Sequence, residues 1–237
     1  MTDLSITPQV LEDSISPEMN LYVFFRGVAA DVDHLQREVL EFLVAAGTSR
    51  GWFPTLGAVI DRFTEHEARP AVEAAVAKLQ RQRLLVADGQ RIVSILGGIT
   101  GEKTRFSAMT DDHVPFRLAS ALDALTIAPM LQKAVEITTS CAVTGAPIRF
   151  KVDPQGHLVD SKPHSMTAFI AGWDGRAPLA DSVVAGSHFF ESDEKLHEWQ
   201  VAHGDPVGMP LTQDTLRSVG MEMAVAIAEL YTRMSIR

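Results

Sequence analysis

The stretch FRLASALDALTIAPMLQKAV, residues 116–135, reads as one helix with few polar positions. Leu118, Leu122 and Leu125 mark one side, and Phe116, Ile127 and Met130 another. A helix that is apolar on most sides is buried. Ser120 and Asp123 nevertheless fall three apart, on a shared face between Phe116 and Ile127. A carboxyl in such a place must be hydrogen-bonded, paired or protonated, because burying a bare charge is costly. Desolvation raises its pKa and makes it a usable proton donor or acceptor near neutrality. The alternative is a structural carboxylate held by backbone N–H groups of a neighbouring loop. Pro129 removes one intrahelical bond and should bend the helix near its end.

Working outward, the segments after this helix alternate. VEITTSCAV, the turn TGAP, IRFKV, the turn DPQG, SMTAFIAG and SVVAGSHFF read as strands of a mainly antiparallel sheet. Ser192 can cap a helix through DEKLHEWQVAH that Gly204 ends, and a last helix spans roughly residues 212–234. Before residue 115 the pattern is helical. Leu35, Val39, Phe42, Leu43 and Ala46 share a face and Gly47 stops the run. A second helix follows Pro54, with Leu56, Val59, Ile60 and Phe63 on one face. A third opens with a capping box from Thr64 to Glu67 and carries Val72, Ala75, Val76 and Leu79. LLVADGQRIVSI then reads as two short strands around an Asp-Gly turn.

The expected class is therefore α+β. Residues 1–30 form an N-terminal arm with a short element at LYVFFRG, and residues 31–96 a winged-helix-like domain. Residues 97–114 form a connection with a strand near Phe106, and residues 115–237 an α+β domain with a mainly antiparallel sheet and flanking helices.

A winged helix invites a DNA-binding reading, with Arg62, Arg69 or Arg81 as contacts. Its third helix, however, sets Glu65, Glu67 and Glu73 against Arg69, Lys78 and Arg81, and the chain carries a net charge of −9. Bulk attraction to nucleic acid or an anionic membrane is disfavoured, so DNA contact stays open but is not favoured. No apolar run reaches the roughly 18–20 residues needed to cross a bilayer, and MTDLSITPQVLEDS has acids where a secretory signal needs basic residues. One cysteine rules out an internal disulfide and a multi-cysteine metal cluster, which suits the cytoplasm.

LASALDALTIAPML, followed by SCAVTGAPIRFKV and then SHFFES, resembles the organomercurial (alkylmercury) lyase family in order and spacing. The likeness runs from about residue 115 to 200, and the N-terminal half agrees in architecture alone. In that family two cysteine thiolates bind mercury, and an aspartate helps move the proton that releases the carbon as a hydrocarbon. The resemblance places that aspartate at Asp123. It places the first cysteine at Ser120 and the second near Val184 or Ala185, so neither thiol is present. Cys141 matches the family's additional cysteine beside the TGAP turn, whose role is structural. A hydroxyl is a poor replacement for a thiolate toward a soft metal. The implied member is a divergent one that lacks both catalytic cysteines, retains the proton-handling half and takes no cofactor.

Other constellations are weaker. Ser120, Asp123 and His188 invite a hydrolase triad, but no G-x-S-x-G elbow accompanies them. The eight histidines include no H-x-H or H-E-x-x-H, so no metal site is expected, and no phosphate-binding loop appears. Trp52, Trp173 and Trp199 are dispersed and make no platform for bases. The expected function is proton transfer by Asp123, with Ser120, on a small organic molecule. Val184, Ala185, His188 and Cys141 line the pocket. The alternative is a non-catalytic protein that senses a ligand and contacts DNA or protein.

Overall fold

A computed structural model of the chain describes residues 31–95, 98–172, 183–212 and 215–216. The expected arm, and all of the expected C-terminal helix beyond its start, lie outside these residues. At that start Leu216 is buried and its N–H donates to the Thr212 carbonyl.

Helix α1 (His34–Arg50) opens with a reciprocal cap, Asp33 accepting from the Gln36 N–H and Gln36 from the Asp33 N–H. It buries Val39, Leu40 and Leu43 completely. Gly47 does not end it as expected. A Cβ there would lie 2.8 Å from the Phe53 ring, so this glycine permits a close approach inside the helix. The stop is Gly51, at φ 73. Helix α2 (Leu56–Phe63) is capped by Thr55. Helix α3 (Arg69–Arg81) starts later than the Thr64–Glu67 pattern implies. Thr64 is used up at the end of α2, where its hydroxyl bonds to the Asp61 carbonyl, and Pro70 pre-sets the first turn of α3.

Strands β1 (Leu85–Asp88) and β2 (Arg91–Ile95) form the expected hairpin. They continue into β3 (Ile99–Thr100), β4 (Phe106–Met109), β5 (Pro115–Leu118), β6 (Val135–Ser140), β7 (Pro147–Val152) and β8 (Leu158–Lys162). These eight make one antiparallel sheet in the order β1-β2-β3-β5-β4-β6-β7-β8. A second antiparallel sheet has β9 (Thr167–Ala171) between β10 (His188–Phe190) and β11 (Gly208–Leu211). The segment before β10 was expected to be strand throughout, but residues 183–186 are helical. The β8 strand had no counterpart among the expected elements.

The opening stretch is divided. Pro115–Leu118 is strand β5, with Phe116 and Leu118 buried and Pro115 and Arg117 exposed, a period of two. Only Ala121–Leu131 is helix, here α4. Pairing with β4 along 115–118 and with β3 at Arg117 and Leu118 engages this backbone, and this outweighs the run's helical appearance. Helix α4 packs against β4 and β6 of the large sheet and β9 of the small one, which explains why it is apolar almost all round.

One hydrophobic cluster joins the two sheets and the N-terminal helices, from Val39 in α1 to Leu211 in β11. At its centre Phe189 lies 4.8 Å from Phe150 and 6.2 Å from Phe106, ring centre to ring centre. Helix α5 (Asp193–Ala202), capped by Ser192 as expected, adds Trp199 against Phe169 and Phe190.

Candidate functional site

Because β5 ends at Leu118, Ser120 is the N-cap of α4 and Asp123 its third residue, not two mid-helix positions. Ser120 is fully buried. Its hydroxyl donates to Asp123 Oδ2 over 2.6 Å and accepts, at 3.4 Å, from the Asp123 N–H. The Ser120 N–H also lies near enough to the Asp123 carboxyl to favour its charged form. The S-x-x-D spacing ahead of an apolar run is the sequence signal for this cap.

The cap does not remove the cost of burial. Asp123 keeps a little exposed surface, but its carboxyl is packed round by protein, including Gly98, where a Cβ would come within 3.3 Å of Oδ1. Burial pushes the carboxyl up to about 7. The Ser120 hydroxyl and the backbone N–H groups of Ser120 and Asp123 pull the other way, and burial wins. The group is thus divided between acid and carboxylate near neutrality.

His188 opens β10 opposite Phe169, half-buried, with its ring edge-on to Trp199 at 5.2 Å. Its Nδ1 accepts from the Arg105 guanidinium. Burial first, and then the Arg105 charge, press its pKa down to about 4, so the ring is neutral near pH 7. This arrangement does not match a triad histidine, whose partners are a serine and an acid.

Cys141 follows β6, buried, in a tight turn where its N–H donates to the Ala146 carbonyl and its carbonyl accepts from the Gly145 N–H. Burial pushes the thiol up, but the Thr144 hydroxyl and the N–H groups of Thr144, Glu191 and Val143 more than offset it, and the thiol sits below its ordinary value. The sequence showed no reason for such a depression, since the donors come from the turn's own geometry and from Glu191, across the fold. Ionised Cys141 also acts on Arg105, which sequence reasoning missed because nothing near it in the chain marks it.

Strand registers set these groups at one end of the large sheet. Phe106 is opposite Leu118 and Ser107 opposite Thr138, so the start of β4 (after Arg105), the end of β5 (before Ser120) and the end of β6 (before Cys141) coincide. The small sheet meets the same end, where the Ala142 N–H donates to the Phe189 carbonyl beside His188.

The family model for MerB, alkylmercury lyase, matches residues 99–225, more than half of the chain. The chain belongs to the alkylmercury lyase family. Alkylmercury lyases of Bacillus cereus and Clostridium butyricum are each 28% identical over 109 residues, 46% of this chain and 49% of theirs. The chain thus spans about half the length of the curated relatives it matches. The crystal structure of the mercury-bound form of MerB2 has the same fold, at a TM-score of 0.71 and 20% identity. The match covers 90% of this chain and 98% of that one.

The chain has one cysteine, Cys141, in the buried turn after β6. Among the described residues, direct bonds join Ser120 with Asp123 and Arg105 with His188. Val184, half-buried, and Ala185, exposed, lie on the helical turn before β10 and enter neither pair. Among the described residues no three His, Cys, Asp or Glu side chains gather into a metal site, and no helix is long and apolar enough to cross a membrane.

Proposed function

We propose that this member of the alkylmercury lyase family is a lyase-like enzyme in which Asp123 passes a proton to or from a carbon atom of a small organic substrate. It does not cleave carbon–mercury bonds. The observation that carries this reading is the Asp123 carboxyl at about 7, hydrogen-bonded to Ser120 at the head of a buried helix. A general acid–base group works best when its pKa lies near the working pH. In its acid form Asp123 delivers the proton. The carboxylate that remains is held by the Ser120 hydroxyl, already in position before the transfer, and is favoured by the nearby backbone N–H groups of Ser120 and Asp123.

The second half of the proposal rests on sulfur chemistry. A soft metal held between two thiolates needs both, and a lone buried cysteine with a serine hydroxyl supplies neither the number nor the softness. The non-catalytic, DNA-contacting alternative draws less support. Arg69 is engaged by Asp61 and Glu73, and the Arg62 guanidinium lies 4.7 Å over the Phe42 ring.

The test is carbon-bound hydrogen exchange. Small organic acids and their neutral analogues are incubated with the protein in deuterium oxide and followed by proton NMR. Deuterium should enter a substrate carbon with the wild type and not with Asp123→Asn. Undiminished exchange in the variant removes Asp123 from the chemistry. Release of mercury from phenylmercury faster than free thiol achieves would overturn the statement about carbon–mercury bonds.

A further inference from the structure

Arg105 stands directly before β4, at the sheet end that also holds Ser120, Cys141 and His188. Three other arginines of the described residues, Arg69, Arg91 and Arg149, each meet a carboxylate within hydrogen-bond distance. Among the described residues no carboxylate pairs with Arg105. Its partners are the neutral His188 ring, an acceptor that brings no charge, and the Phe106 ring 5.3 Å away. One face of the guanidinium is therefore fixed by an aromatic ring and one N–H by a histidine, while the residue remains exposed to an incoming ligand. A guanidinium has five N–H donors in a planar fork that matches a carboxylate with two parallel bonds.

From this juxtaposition we infer that the substrate of the proposed proton transfer is a small monocarboxylate, seated by its carboxylate on Arg105 beside His188. The inference rests on the reading of this sheet end as the substrate site. One charge is favoured over two because, among the described residues of this cluster, Arg105 is the cation, and the neighbouring Cys141 becomes an anion when it ionises. His188 engages one nitrogen of the guanidinium, which leaves the other donors for a ligand.

The test compares phenylacetate with its neutral isostere phenylacetamide by isothermal titration calorimetry on the full chain. Phenylacetate should bind and the amide bind at least about tenfold more weakly, the difference expected for charge-assisted hydrogen bonds. Arg105→Gln should lose that preference. Arg105→Lys, which keeps the charge but not the fork, should bind phenylacetate more weakly than the wild type and still prefer it to the amide. Circular dichroism confirms folding. If Arg105→Gln does not fold, the Lys variant and the acid–amide comparison decide. Equal binding of acid and amide, absence of binding by both, or unchanged affinity in a folded Arg105 variant overturns the inference. Asp123→Asn separates the two proposals. Retained phenylacetate binding without any carbon exchange in the wild type sinks the enzymatic reading alone. Exchange that depends on Asp123 but ignores Arg105 sinks this one alone.

Discussion

The Ser120 hydroxyl and the Asp123 carboxyl are joined by a 2.6 Å hydrogen bond across the first turn of α4, and the same hydroxyl caps the Asp123 N–H. One side chain thus does two jobs, closing the helix and favouring the carboxylate form of its neighbour. Ser120→Ala should raise the Asp123 pKa further above about 7. Loss of the cap should destabilise the fold by about 1 kcal/mol. Carboxyl titration and urea unfolding measure the two effects separately.

The raised carboxyl makes stability depend on pH in a defined direction. In the unfolded chain an aspartate ionises near pH 4, roughly, and in the folded protein Asp123 does so at about 7. Between these values the native state holds the extra proton, so this group's contribution is full below the window and is lost as pH rises through it. Asp123→Asn has no proton to lose. Its melting temperature relative to wild type should therefore climb from about pH 4 to about pH 7 and then level off. A constant difference across the window would place the carboxyl in an ordinary environment.

The Cys141 thiol is drawn down by the Thr144 hydroxyl and by backbone N–H groups, against the effect of burial. Thr144→Val deletes the hydroxyl at nearly constant shape and should move the thiol upward. As the chain has one cysteine, the ultraviolet absorbance of the thiolate reports this group alone. An unshifted titration would assign the depression to the backbone.

Phe189 is completely buried between Phe106 and Phe150 and links the small sheet to the large one. Phe189→Ala should cost about 3–5 kcal/mol. The loss should appear as one cooperative transition in urea, since a single cluster spans both sheets. Two separated transitions would contradict a shared core.

Much of this architecture was legible from local pattern. Val39, Leu43 and Ala46 recur at helical spacing, and Phe150 alternates with Arg149 and Lys151, because one face of each element is wet. The stretch at 116–135 misled because it is buried on nearly every side, and a buried strand followed by a buried helix shows no period to separate them. Its boundary is set by β3 and β4, which are distant information. The Ser120–Asp123 pairing was readable from spacing, though its role as a cap was hidden by the misplaced helix start. Arg105 was not readable at all: its meaning comes from His188, 83 positions away.

One proton on one carboxyl group decides whether Asp123 can serve as acid and base near neutrality. Carbon-13 NMR of the protein labelled at aspartate, with Asp123→Asn to assign the signal, follows that proton directly. The expected midpoint for Asp123 is about 7. A midpoint near 4, the ordinary range for an aspartate, roughly, would contradict it.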